Sequence, residues 1–100
     1  MLEGEIKRLP KPKTLYSQIG DLRLYEIAKC ESGLRQFRSD GSVVRSHTND
    51  VGILQINVPV WGREAQRLGY DIYSLEGNIR MAHYVLKVQG YSAWVCNRKI

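Results

Sequence analysis

Asp21 to Gly33 reads as one helix whose apolar stripe runs into an acid. Asp21 is a suitable N-cap, Leu24, Ile27 and Ala28 recur at helical spacing, and Gly33 stands just past the last turn. One turn further along the stripe lies Glu31. A carboxylate on the buried face of a helix loses hydration, which raises its pKa, so a fold built on this stripe has to accommodate a reluctant anion. The plainer reading is a solvent-facing glutamate near a helix C-terminus, where the helix dipole also disfavours its charge.

The rest of the chain has little room in which to answer that demand. One hundred residues make one domain with a modest core. Hydrophobic residues are 43% and charged residues 25%, which excludes wholesale disorder. No apolar run approaches the roughly 18 residues that a membrane helix needs, so no membrane span is expected.

The first thirteen residues, MLEGEIKRLPKPK, have two prolines and no helical or strand period, and read as a flexible basic linker or tail. No apolar stretch follows their basic residues, so they are not a secretory signal. Either the protein stays inside the cell or the sequence begins after an export or anchor segment. Lys7, Arg8, Lys11 and Lys13 against Glu3 and Glu5 give this tail a net +2 of the chain's +5. The remaining basic residues are scattered, without the dense runs that track phosphates, so a nucleic-acid partner is not expected. A mildly cationic surface or attraction to a polyanion such as a bacterial wall both fit this charge.

Beyond Gly33, Asp40-Gly41 sits between short β-prone runs and predicts a hairpin. A polar loop, residues 46–50, leads into Val51-Gly52-Ile53-Leu54-Gln55-Ile56-Asn57, read as a short extended piece with Gln55 and Asn57 alternating against apolar neighbours. Pro59 opens a helix whose Trp61, Ala65 and Leu68 share a face before Gly69. A longer helix covers about Leu75 to Gln89, with Leu75, Ile79, Ala82 and Leu86 in line, and Ser92 is placed to cap a last helix through Cys96. The fold class expected is α+β, mostly helical, with one small β-hairpin.

Cys30-Glu31-Ser32-Gly33, the Asp-Gly turn, Asn49 to Asn57, Asn78-Ile79 with Ala82 and Leu86, and Ala93-Trp94-Val95 occur in an order that resembles the lysozyme superfamily over about residues 22–97. Asp50 to Asn57 and Ala93-Trp94-Val95 look like animal-type lysozymes. Glu31-Ser32, Gly52-x-x-Gln55-Ile56 and Asn78-Ile79 with Tyr84 also suit bacterial lytic transglycosylases. The chain lacks both the Ala-Tyr-Asn element of many transglycosylases and the multi-cysteine framework of the animal enzymes. The resemblance implies a lysozyme-like catalytic domain over residues 14–100. It also implies cleavage of the β-1,4 bond between N-acetylmuramic acid and N-acetylglucosamine in peptidoglycan.

Such a reaction needs an acid still protonated near neutral pH, to hand its proton to the leaving oxygen, and Glu31 is the candidate. The resemblance places Trp94 against it, where the ring excludes water. Asp50 corresponds to the second carboxylate of animal lysozymes, which stabilises or attacks the oxocarbenium-like centre. In transglycosylases no second carboxylate is required and the muramic acid's own hydroxyl closes an anhydro ring. An Asx turn ending a loop is the plainer role for Asp50. Gln55 and Asn57 are candidates for sugar hydroxyls, or satisfy local backbone groups. Trp61 is the candidate aromatic face at the cleft edge, with core packing as the rival reading.

His47 and His83 have no ligand spacing with Cys30 or Cys96, so no metal and no cofactor are expected. If Trp94 does pack on Glu31, the sulfurs of Cys30 and Cys96 come near each other, and either a disulfide or two buried thiols would follow. The expected partner is the peptidoglycan glycan strand, met by a monomer in an extracytoplasmic compartment. The alternative is a catalytically silent peptidoglycan-binding module of the same fold.

Overall fold

The computed structural model describes residues 13–100, so the expected tail lies outside the described residues apart from Lys13. The architecture is α+β and mostly helical. Helix α1 (Leu15–Ile19) starts at Thr14, whose side chain accepts the Ser17 N–H, and stops at Gly20. It occupies residues where the sequence shows no clear period. Helix α2 (Leu22–Ser32) has Asp21 as its N-cap, the carboxylate accepting the Leu24 N–H at 2.8 Å. Its end is an αL closure, with left-handed Gly33 giving its N–H to the Lys29 carbonyl and Leu34 N–H reaching that of Ala28. Leu24, Ile27 and Ala28 are fully buried on the predicted stripe.

The chain does reverse at Asp40-Gly41, where the Asp40 carboxylate accepts the Ser42 N–H at 2.9 Å. The flanking runs form only an isolated bridge, Phe37 to Val43, and not the paired strands that the turn predicts. Phe37 of the bridge is exposed while its partner Val43 is only partly buried against the core, so little apolar surface holds the pair, and a turn alone does not hold a hairpin together. The sheet lies further on, with β1 (Asp50–Val51) antiparallel to β2 (Ile56–Asn57) and Asp50 opposite Asn57. The segment expected as one extended piece is therefore folded back on itself. Gly52 at φ 79° and Gln55 at φ 49° bracket the turn between the strands. Burial drives this reversal, because Val51, Ile53, Leu54 and Ile56 all enter the core.

Helix α3 (Val58–Leu68) begins one residue earlier than Pro59 predicts, because Asn57 caps it by accepting the Val60 N–H. Helix α4 (Leu75–Gln89) runs between Ser74 and Gly90 as expected. Its buried face is wider than the predicted stripe and includes Asn78, Ile79, Met81, Ala82 and Val85. The last helix expected from Ser92 is absent. Two 3-10 turns, Tyr91–Ala93 and Val95–Arg98, stand there with Trp94 extended between them, and the Ser92 hydroxyl donates to the Gln89 carbonyl instead of capping. Trp94 is tied through its indole N–H to the Leu54 carbonyl at 2.7 Å, and Cys96 to Cys30, and these two anchors set the backbone in place of a helical repeat. Among the described residues no helix is long and apolar enough to cross a membrane.

Candidate active site

The hairpin turn is held from beneath by two buried amides. Asn78, fully buried on α4, accepts the Leu54 N–H and donates to the carbonyls of Val51 and Ile72, all within 2.9 Å. Gln36 accepts the Ile53 N–H at 2.8 Å and donates to the Ile72 carbonyl. Backbone groups that the turn takes from water are thus paired, as burial requires. A Cβ on Gly52 would collide with both amide side chains, so the turn passes where only glycine fits. Ser32, at the end of α2, donates to the Ile53 carbonyl at 2.7 Å and so fixes the helix end beside the hairpin.

That arrangement brings two carboxylates into one electrostatic neighbourhood. Glu31, in the last turn of α2, is half-buried, and its Oε2 accepts the Cys96 N–H at 3.3 Å. Burial raises its pKa above the ordinary 4.5. The Cys96 N–H opposes that rise, the Asp50 charge adds to it, and Lys99 opposes it weakly. Asp50, at the start of β1, is treated differently. Its Oδ2 accepts the hydroxyls of Ser46 at 2.6 Å and Thr48 at 2.5 Å, and its Oδ1 accepts the Asn57 amide at 2.8 Å. Burial would raise this carboxyl, but the three hydrogen bonds outweigh it and hold the group below its ordinary 3.8. Asp50 makes no Asx turn, since every group that its carboxylate accepts is a side chain.

Asp50, Gln55, Asn57, Trp61 and Trp94 line one pocket of about 60 Å³, together with Ile56, Val85 and Ala93. Five of the six residues singled out from the sequence thus share a wall; Glu31 is not among its lining residues, and its link to the wall is the Asp50 charge, which adds to the rise in its pKa. Three larger hollows have other linings: those of about 380 and 410 Å³ share Glu76 and Arg80, which form an exposed ion pair, and one of about 330 Å³ lies between Leu22 and Ile100. Size alone does not mark the chemistry.

The individual roles are more varied than the sequence suggests. Gln55 turns its amide back to the Gly52 carbonyl at 2.9 Å, so it satisfies the local backbone while lining the pocket. Asn57 works on two fronts, capping α3 with its oxygen and holding Asp50 with its nitrogen. Trp61 is half-buried, packs against the core edge and still lines the pocket. Trp94 is only 4% exposed and anchors the hairpin, while the main-chain contact with Glu31 comes from Cys96 two residues later.

Cys30 and Cys96 form a disulfide with Cα atoms 6.0 Å apart, spanning 66 residues. It clamps the chain on both sides of Glu31's own contact with Cys96. Arg23 adds to the clamp by donating to the Asn97 side chain at 2.6 Å and to its carbonyl at 3.0 Å. Sequence reading passed over Ser46 and Thr48, although Ser-x-Thr-x-Asp sets two short hydroxyls at two-residue steps before the carboxylate. It also gave Gln36 no role. Comparison of the chain with protein-family models, with curated proteins and with solved structures gives no match.

Proposed function

We propose that this chain is a lysozyme-like muramidase that cleaves the β-1,4 bond between N-acetylmuramic acid and N-acetylglucosamine, with Glu31 as the general acid. The observation that carries this reading is the unequal treatment of two neighbouring carboxyls. One is half-buried at a helix end with a single N–H donor; the other is held by three side-chain donors at the wall of a small pocket lined by two tryptophans. Such a division matches a proton donor beside a permanent anion, which is what glycoside cleavage needs.

Glu31 gives its proton to the leaving glycosidic oxygen as the C1–O bond breaks. Asp50, still ionised, stabilises the positive charge that develops at C1 or bonds to it. Water then adds at C1, breaking the bond to Asp50 where one has formed and releasing the ionised carboxylate, and its proton returns to Glu31. In the transglycosylase variant the muramic acid's own hydroxyl attacks C1, its proton goes to Glu31, and Asp50 is dispensable. The cradle around Asp50 favours hydrolysis, because a spectator carboxylate has no need of three donors. The disulfide supports an oxidising, extracytoplasmic setting, and the mild positive charge suits an anionic wall.

The test is digestion of purified cell walls by the parent chain and by Glu31→Gln, read by mass spectrometry. Loss of cleavage by about 10²-fold or more in the variant is expected. Retained cleavage in the variant overturns the assignment of Glu31, and a parent chain that does not cleave leaves the catalytically silent glycan-binding module as the reading. Products one water lighter than the hydrolytic muropeptides identify transglycosylation.

A further inference from the structure

Four side chains join the outer surface to the pocket wall. Arg67 grips Glu64 with two parallel bonds, Nε to Oε1 at 2.6 Å and Nη2 to Oε2 at 3.0 Å. The Tyr84 hydroxyl, arriving from α4, donates a short hydrogen bond to the same Glu64 Oε2. The Tyr84 ring meets Trp61 edge to face, centroids 6.3 Å apart and planes at 86°. Trp61 lies one turn before Glu64 on α3, so a single helix carries both ends of the relay.

We propose that Tyr84, fixed by the Arg67–Glu64 pair, is a positioning residue that sets the plane of Trp61 so that the indole receives a pyranose ring of the bound glycan. The inference rests on the glycan-cleaving reading and deepens it.

Three features favour this over simple helix-to-helix packing. Exposed ion pairs add little to stability, and Arg67 is well exposed, so the pair has little to contribute as a strut. A forked guanidinium–carboxylate contact instead supplies direction, because both partners are planar and bound at two points. Hydrogen bonds from Arg67 and Tyr84 also hold the Glu64 carboxyl down at about 2, so the grip on the Tyr84 hydroxyl persists over the pH range in which carboxyl-based catalysts work. At the far end, the Trp61 indole N–H makes no hydrogen bond among the described residues, so the ring is placed by packing on the core edge and on the Tyr84 ring and keeps a donor for the ligand. Edge-to-face contact is the geometry in which one ring best orients another.

The experiment compares the full chain with Tyr84→Leu, Tyr84→Phe, Trp61→Leu and the Trp61→Leu/Tyr84→Leu double variant. The ligand is a soluble chito-oligosaccharide, followed by isothermal titration calorimetry and by kcat and KM on solubilised glycan strands. Trp61 and Trp94 both line the pocket, so Kd is read by calorimetry, which works alike with and without Trp61. Tyr84→Leu should raise Kd and KM about 3- to 10-fold with kcat within about 2-fold. Tyr84→Phe, which keeps the ring and loses the hydroxyl, should show a smaller rise. In the Trp61→Leu background the Tyr84 change should add nothing. An equal loss in both backgrounds, or unchanged Kd in Tyr84→Leu, overturns the proposal. Should Tyr84→Leu fail to fold, Tyr84→Phe and Glu64→Gln decide it, and unchanged Kd in both overturns it. A parent chain that binds glycan without cleaving it removes the proposed reaction while the relay is still judged by the cycle. One that neither binds nor cleaves overturns both.

Discussion

The main-chain N–H of Cys96 points at Glu31 Oε2 from 3.3 Å, and the disulfide to Cys30 holds it there from the residue next to Glu31. The candidate acid is thus placed by two parts of the chain 65 residues apart. Burial keeps it protonated more readily than an ordinary glutamate, while the single N–H limits how far this goes.

The pH dependence of cleavage follows from the opposite shifts of the two carboxyls. Glu31 must hold a proton and its pKa lies above 4.5, so activity should fall as pH rises through that raised value. Asp50 must be ionised and its pKa lies below 3.8, so the acidic limb should come below the ordinary aspartate range. A bell-shaped profile of kcat/KM with its limbs outside these two ordinary values is expected. A basic limb at or below pH 4.5 would contradict the assignment of Glu31.

Replacing the acid should stabilise the fold. A group whose folded-state pKa is raised adds stability below its unfolded value and loses it as pH rises through the folded value. At pH 7 the native state therefore holds an unfavourable anion at Glu31, and Glu31→Gln removes it. The thermal midpoint of this variant should exceed that of the parent at pH 7, and the gain should vanish near pH 4. A lower midpoint at pH 7 would show that the carboxylate is structurally required.

Loosening the cradle should move the other limb. Asn57→Ala removes one donor from Asp50 and the N-cap of α3 together, whereas Ser46→Ala removes a donor and leaves the helix intact. Ser46→Ala should shift the acidic limb to higher pH with little change in the basic limb. Asn57→Ala should do the same and also lose about 1 kcal/mol of stability. Urea denaturation beside the pH profile separates the two effects.

The disulfide closes a loop of 66 residues, and chain entropy alone assigns it about 4 kcal/mol. Cys30→Ala/Cys96→Ala should therefore lower the melting temperature by more than about 10 °C. Calorimetry of the oxidised parent and the double variant checks this, and near-equal midpoints would rule out a role as the main staple.

Gly52→Ala should be among the most damaging small substitutions. The added methyl meets Asn78 and Gln36, and φ 79° is itself unfavourable for alanine. A loss above about 2 kcal/mol is expected in chemical denaturation. At Gly41, also at positive φ but with open space around it, Gly41→Ala should cost clearly less.

By itself the sequence determined the local grammar of this protein. Asp21 and Gly33 bound α2, Ser74 and Gly90 bound α4, and Glu31 falls on the α2 stripe, because capping and helical period act over a few residues. The candidate residues were legible through motif order, and the pocket gathers Asp50, Gln55, Asn57, Trp61 and Trp94 from three separate stretches. Tertiary structure decided the rest. The 51–57 stretch reverses where local pattern reads as extended, since the two amides of Gln36 and Asn78, from opposite sides of it in sequence, satisfy its turn. Residues 91–98 forgo a helix because the Trp94 indole and the Cys96 sulfur are anchored to distant partners. The same contacts set the direction of each carboxyl's pKa shift: burial, opposed by a remote N–H, raises Glu31, and three donors gathered by the hairpin lower Asp50. Sequence names the two carboxyls, and packing determines in which direction the pKa of each moves.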